Sequence, residues 1–596
     1  MQEYSSPTAF EIPGTAALSD AVTAHGNDYP DRVALSRRVG DAWVPVTSRE
    51  FAEQVSRLAR GMIAAGVGPG DRVGILSRTR YEWTLADYAI WTAGAVAVPI
   101  YETSSAEQAQ WILSDSGAVA VVVETAAHAA MVESVRADVP GLREVWQIDS
   151  GDLDTVAARA DGTPESVLAD RRSTLDADSL ATIIYTSGTT GRPKGCELTH
   201  GNLLYVAELA PTVIPAMKAD GASSLLFLPL AHVFARIIEV SCIQNGARLG
   251  HTGDLAQLLA DLGTFRPTFL VAVPRVFEKV YNGARQKAHA GGKGAIFDRA
   301  ERVAVAWSKA QDTGGAGLGL NLQHKLFDAL VYGKLRAAMG GEVEYALSGG
   351  APLGERLGHF FRGIGVTILE GYGLTETTGP ATVSGPDTLK VGTVGRAAPG
   401  SSVRIDDLGE ILVRGPQVFR GYWNNPDATA ECMRDGWFAT GDIGVLDGEG
   451  YLTITGRIKE LLVTSGGKNV SPAVLEDKIR AHPLVSQCIV VGDNRPFIGC
   501  LITLDAEALP GWLEGKGRPT TTPLAELVED PEVVAEIQSA VDRANAQVSR
   551  AESIRNFAIL PVEWTVEGGQ LTPSLKLKRS VVMKEFATEV EKIYAS

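Results

Sequence analysis

Three short runs, DRVGILS (71–77), AVAVPIY (95–101) and AVAVVVE (118–124), constrain the fold of this chain most. Their apolar residues are nearly continuous rather than alternating, so such strands lose both faces to the interior. That is the mark of a mostly parallel sheet covered by helices on each side. The intervening segments carry the helical period. From Arg49 to Ala65, residues Phe51, Val55, Leu58, Ala59, Met62 and Ile63 share one face, and Gly66 ends the run. The same alternation returns between Leu203 and Leu347, with strands expected at LLFLPL, TFLVAVP and YALSGG. Two layered α/β subdomains in succession are therefore expected. Gly283–His324, Ala-rich with a GGAGLGL loop, reads as a helical insertion outside the sheets, and Asp149–Asp178 as a polar connection.

The texture changes near Thr382. Up to about residue 455, short alternating strands and Gly-rich turns predict a small antiparallel unit. Beyond Arg457 a mixed pattern follows: a helix over Pro472–Ala481, strands SQCIVVG and GCLITLD, then helices to the C-terminus. A chain of 596 residues is too long for a single core. The division expected is 1–458, a large N-terminal α/β domain with the β-rich part at its end, and 459–596, a smaller α+β domain.

The richest stretch for chemistry is Ile184–His200, IYTSGTTGRPKGCELTH. An apolar strand runs into Thr186, Ser187, Gly188, Thr189, Thr190, Gly191, Lys194 and Gly195. Glycines let backbone N–H groups converge on an oxyanion, and hydroxyls and an ammonium add donors. This is the chemistry of a phosphate cradle. It is not the common NTPase loop, which needs Gly-Lys-Ser/Thr; here Lys194 follows Pro193 and precedes Gly195.

Three further strings have the right chemistry for a nucleotide. EGYGLTET (370–377) sets Tyr372 between Gly371 and Gly373 as a flat surface for a base, with Thr375 and the Glu376 carboxylate, a ligand type that Mg²⁺ accepts, close behind. FATGDIG places Asp442 in a Gly-flanked turn, where a carboxylate can accept hydrogen bonds from ribose hydroxyls. QLTPSLKLKR (570–579) is the densest basic cluster near the C-terminus. Each has a plain reading as well: a strand-to-loop junction, a turn-forming Asp, a solvated basic turn. His232, in LPLAHVFAR, sits beside a core strand, where a packed histidine is the ordinary outcome.

A net charge of −16 opposes nucleic acid as a partner, because phosphate backbones select basic faces. The five cysteines form neither a disulfide framework nor a metal-ligand spacing. The first residues lack the basic and apolar parts of a signal peptide, and the most apolar stretch, Leu85–Ile100, is interrupted by Asp87 and Pro99. A cytoplasmic location is expected, with peripheral contact on the inner face of the membrane left open. Oligomeric state has no signature in the sequence.

Taken in order, these motifs resemble the adenylate-forming superfamily of acyl-CoA synthetases, luciferases and adenylation domains. LPLAHVFAR, PRVFEKVY (274–281), the helical insertion and LTPSLKLKR resemble its long-chain fatty-acid–CoA ligases, actinobacterial members in particular. The resemblance implies activation of a fatty acid by MgATP to an acyl-adenylate, then transfer of the acyl group to CoA. It assigns Thr186, Ser187, Gly188, Thr189, Thr190 and Lys194 to the phosphates, and Thr186 and Glu376 to Mg²⁺. Gly350, Glu370, Gly371, Tyr372, Thr375, Asp442 and Arg457 fall to the nucleotide. Lys576 becomes the catalytic lysine, with Lys578 as runner-up because Ser574-Leu575-Lys576 stands where many relatives have Ser-Gly-Lys. His232 borders the carboxylate, and Lys459 stands at the hinge about which the small domain rotates, bringing the Gly466-Gly467-Lys468 loop toward the site. Two other classes stay open: a ligase passing the acyl group to a carrier protein, and a non-catalytic lipid-binding or uptake protein.

Overall fold

The computed structural model describes residues 2–186, 192–572 and 576–595. The runs expected as strands form Arg72–Leu76, Val96–Ile100 and Ala118–Val123, all parallel. They belong to a seven-stranded sheet in which Leu180–Thr186 continues the parallel order and Lys194–Thr199 turns back against it. A five-stranded sheet joins Phe269–Ala272, Tyr345–Ser348 and Thr367–Leu374 in parallel, then adds Gly379–Val383 and Arg396–Ala397 antiparallel. The helix Ser48–Ala64 starts on a capping box. The Thr47 hydroxyl accepts from Glu50 N–H, while the Glu50 carboxylate accepts from Thr47 N–H. Its apolar face, Phe51, Val55, Leu58, Ala59 and Met62, is buried as the spacing predicts.

Four expectations need correcting. The two α/β units are interleaved: the hairpin Val33–Val39/Ala42–Thr47 pairs with Arg248–His251, completing a four-stranded sheet from distant parts of the chain. Glu3–Ser5 adds an edge to the antiparallel unit by pairing with Ser402–Ile405. In the C-terminal part a third strand, Ile554–Leu560, lies parallel to Ile498–Leu504 where only helices were expected. The stretch 149–178 contains two short helices, Asp152–Ala158 and Ser166–Arg172. Non-local pairing decides the first three, and no local pattern encodes it.

Asp87, which interrupts the most apolar stretch of the sequence, lies fully buried in the helix Tyr81–Thr92. Its oxygens accept from the Arg236 guanidinium at 2.7 and 2.5 Å, and Arg236 also donates to Thr182 Oγ1 at 2.9 Å. The guanidinium lies 5.2 Å from the ring centres of both Trp83 and Trp91. One cation thus ties two helices to the strand that ends at Thr186. Burial raises Asp87 to about 6 against the pull of Arg236, and burial with the Asp87 charge raises neighbouring Glu239 well above the carboxylate range. Among the described residues no helix is long and apolar enough to cross a membrane. Arg236→Met should cost about 3–5 kcal/mol in urea unfolding at pH 8. The loss should shrink near pH 5, where protonated carboxyls need no counter-ion.

Candidate active site

A cavity of about 1410 Å³ opens between the second α/β unit, the antiparallel unit and the C-terminal part. His232, Gly350, Glu370, Tyr372, Asp442 and Lys576 all face it, with Gly371 and Arg457 beside them. These residues come from stretches separated by up to 344 positions, yet each is carried by a strand edge, a helix end or a tight turn.

Asp442 is not in a turn, as the sequence suggested. It lies within one long strand, Trp437–Leu446, directly opposite Arg457 of Leu452–Arg457. Gly441, at φ +72°, bends the strand immediately before it, a conformation open to glycine. The Tyr372 hydroxyl donates to Asp442 Oδ2 at 2.7 Å, and Arg457 Nε donates to Oδ1 at 2.7 Å. EGYGL is likewise strand rather than loop: Thr367–Leu374 continues through it, with a register shift between Tyr372 and Gly373. Thr375 is buried in the turn that follows.

Two groups in the cavity are held away from their usual protonation. The His232 Nδ1 accepts from Phe234 N–H at 3.1 Å as the cap of the helix Val233–Asn245. Burial, followed by the charge of Lys576, drives the imidazole down to about 3. His232 is thus neutral with its proton on Nε2, a donor. Glu370 is buried; one of its oxygens accepts from Leu353 N–H at 3.2 Å, and burial lifts it to about 7.

Lys576, rather than Lys578, faces the cavity. Its backbone pairs with Thr572, donating N–H to Thr572 Oγ1 at 3.0 Å and accepting from Thr572 N–H at 2.8 Å. Lys578 instead stands at the N-cap position of the helix Arg579–Glu585, without a side-chain cap. The Lys576 side chain meets solvent through the cavity, while protein encloses its other sides. Burial and the Arg457 charge lower its pKa, and Asp442 and Glu376 oppose them. Its Cε would lie 3.9 Å from a Cβ at Gly350, whose φ is +82°. Arg275–Asp505 at 2.8 Å and Lys279–Glu507 at 3.0 Å bind the N-terminal and C-terminal parts in this arrangement.

Ser187, Gly188, Thr189 and Thr190, expected at the phosphates, lie outside the described residues. Their flanks are paired, Thr186 opposite Lys194. Lys194 Nζ stands 5.0 Å from the Tyr422 ring centre, and the Tyr422 hydroxyl donates to Glu376 Oε1 at 2.7 Å. Thr186 Oγ1 is 3.9 Å from Cys196 Sγ, and burial together with the Glu376 charge raises that thiol well above its ordinary range. Thr186, Lys194 and Glu376 therefore share one end of the site. Tyr422 was not singled out from the sequence; its only signal there was an aromatic pair after a glycine. Lys459 is exposed in the turn Ile458–Glu460, between the antiparallel unit and the C-terminal part.

A family model described as AMP-binding enzyme matches residues 22–423, and one described as AMP-binding enzyme C-terminal domain matches 459–596. The chain belongs to the AMP-binding enzyme family. Among the relatives of this AMP-binding enzyme, the long-chain-fatty-acid–CoA ligase FadD15 of Mycobacterium bovis is 52% identical over 100% of both chains. The long-chain-fatty-acid–CoA ligase ACSBG2 of Xenopus laevis is 32% identical, over 95% of this chain and 82% of its own. A solved anthranilate CoA ligase in complex with anthranoyl-AMP shares the fold at a TM-score of 0.72 and 18% identity, over 97% of this chain and 99% of that one.

The raised Glu370 makes the stability of this AMP-binding enzyme pH-dependent. Its ordinary value is 4.5 and its folded value about 7, so the folded state holds the extra proton between them. The wild type should lose stability as pH rises through that window and level off above it. Glu370→Gln removes the titration. Its melting midpoint relative to wild type should climb between pH 4.5 and 7 and match the wild-type trend outside that range.

Proposed function

We propose that this AMP-binding enzyme is a long-chain fatty-acid–CoA ligase that works through an acyl-adenylate. The observation that carries the reading is the meeting of Lys576, neutral His232 and the Asp442–Arg457–Tyr372 cluster on one cavity. The names of relatives at 52% and 32% identity support the substrate class. Phe227, Leu228, Phe234, Leu255 and Val305 give the cavity an apolar wall suited to an acyl chain.

In the first half-reaction a carboxylate oxygen of the fatty acid attacks the α-phosphorus of ATP, and the bond to the β-phosphate oxygen breaks. His232 donates Nε2–H to the carboxylate and fixes its orientation. The Lys576 ammonium lies over the charge that grows on the α-phosphate; Asp442 and Glu376 favour its cationic form. Asp442 retains lone pairs for the ribose hydroxyls beyond those taken by Tyr372 and Arg457. The 186–194 loop, with Lys194, retains the departing pyrophosphate. Glu376 and Thr186 offer a carboxylate and a hydroxyl, hard oxygen donors that suit Mg²⁺. Bound there, Mg²⁺ supplies charge neutralisation at the phosphates.

In the second half-reaction the CoA thiol attacks the adenylate carbonyl, and AMP leaves. Lys576 occupies the region the thiol must approach, so the C-terminal domain, residues 459–596, rotates about Lys459. The rotation exchanges Lys576 for the Gly466-Gly467-Lys468 loop, whose Lys468 here pairs with Glu552 of the same domain at 3.3 Å.

Lys576→Ala should lower fatty-acid-dependent adenylate formation by about 10²-fold or more, while thioester formation from supplied acyl-adenylate and CoA stays within a few-fold of wild type. Equal loss of both half-reactions would sink the assignment. Adenylate accumulation without acyl-CoA from the wild type would favour a carrier-protein acceptor.

A further inference from the structure

The helix Leu318–Phe327 turns Leu318, Leu322 and Leu326 outward, while Leu320 packs against the core. Its inner face is fastened by specific contacts. Asn321 Oδ1 accepts from Trp307 Nε1 at 2.9 Å, the His324 ring stacks on Trp307 at 4.3 Å, and His324 Nε2 donates to the Gly363 carbonyl at 2.6 Å. Phe327 is buried, and just beyond the helix the Tyr332 hydroxyl donates to the Ala300 carbonyl at 2.7 Å. These contacts forbid the rotation that would bury the outer face. Out on that face stand Leu318, Leu322, Leu326 and Leu330, exposed by 91, 72, 56 and 50%.

The following turn, Asp328–Tyr332, is π-helical. A π turn holds more residues per rotation than an α turn, so Leu330 stays in line with Leu322 and Leu326 instead of drifting off the stripe. Twelve residues at 1.5 Å each make a ridge about 18 Å long. Lys334 continues the four-residue spacing and Lys325 flanks the ridge; both are exposed.

The surroundings are cationic. The helices and turns from Pro274 to Ala338 carry eleven lysines and arginines against five acids, a net +6 in a chain of −16. Each of those acids is already ion-paired: Glu278 with Arg275, Asp298 with Arg285, Glu301 with Arg356, Asp312 with Arg362 and Asp328 with Arg336. We propose that this leucine ridge docks the enzyme on an anionic lipid surface. An apolar helix face flanked by lysines is what an interfacial helix needs, the leucines entering the acyl boundary and the cations meeting headgroups. A second copy fits less well. A two-fold pairing of the ridge would centre near residue 324 and set Lys325 against Lys325, with no acid on the stripe to answer it. The inference rests on this surface alone and stands apart from the ligase reading.

Flotation of the full-length protein with vesicles tests it. Wild type should bind vesicles containing about one-third phosphatidylglycerol in phosphatidylcholine, and bind pure phosphatidylcholine less, with the difference shrinking in high salt. Leu322→Ser with Leu326→Ser should weaken binding to both by about tenfold or more. Lys325→Glu with Lys334→Glu should weaken binding to the anionic vesicles alone. Melting midpoints check that both double variants fold, and the lysine pair serves as an independent probe should the serine pair melt early. Absence of wild-type binding, or variants that bind as wild type does, would overturn the proposal. So would a wild-type dimer in sedimentation equilibrium that the serine variant converts to monomer.

Discussion

Asp442 is the point on which the site depends. Its carboxylate receives a phenol from the second α/β unit and a guanidinium from the strand that leads into the C-terminal part. Tyr372 belongs to the five-stranded sheet and Arg457 to the antiparallel one, so a single acid registers the two sheets against each other. Nearby charge then decides the states of the reacting groups. Arg457 lowers the Lys576 pKa while Asp442 raises it, and Lys576 in turn helps keep His232 neutral. Burial lowers both groups, but Asp442 and Glu376 oppose it at Lys576, whereas the Lys576 charge adds to it at His232.

The same economy appears at the phosphate end and in the core. Tyr422 reaches from Lys194 to Glu376, joining the two halves of the expected phosphate and metal site through one aromatic side chain. Deeper in, Arg236 joins Asp87 to Thr182, four residues before Thr186. A buried ion pair is a poor source of stability, but it is a strong determinant of register. Here it sets the strand that ends at Thr186.

The motif strings made the site readable before the fold was known, because their chemistry is local: hydroxyls with glycines, a ring between glycines, a basic run. The α/β class was readable for a related reason, since continuous apolar strands need cover on both faces. What stayed hidden was pairing across the chain. Glu3–Ser5 meets Ser402–Ile405 over some four hundred positions, and Ile554–Leu560 joins a sheet whose other strands end fifty residues earlier. Asp442 looked like a turn residue because glycine flanks it, yet the glycine bends a strand. The leucines at 318, 322, 326 and 330 carry the period of a core face; only the fastening of Trp307, Asn321 and His324 behind them shows that they point outward.

The central claim is that the carboxylate attacks the α-phosphorus and that its oxygen leaves with AMP. A fatty acid labelled with ¹⁸O in both carboxyl oxygens, turned over with ATP and CoA, follows that oxygen directly. Mass spectrometry should find one ¹⁸O in AMP, the other retained in acyl-CoA, and none in pyrophosphate. Unlabelled AMP, or label in pyrophosphate or inorganic phosphate, would contradict the account.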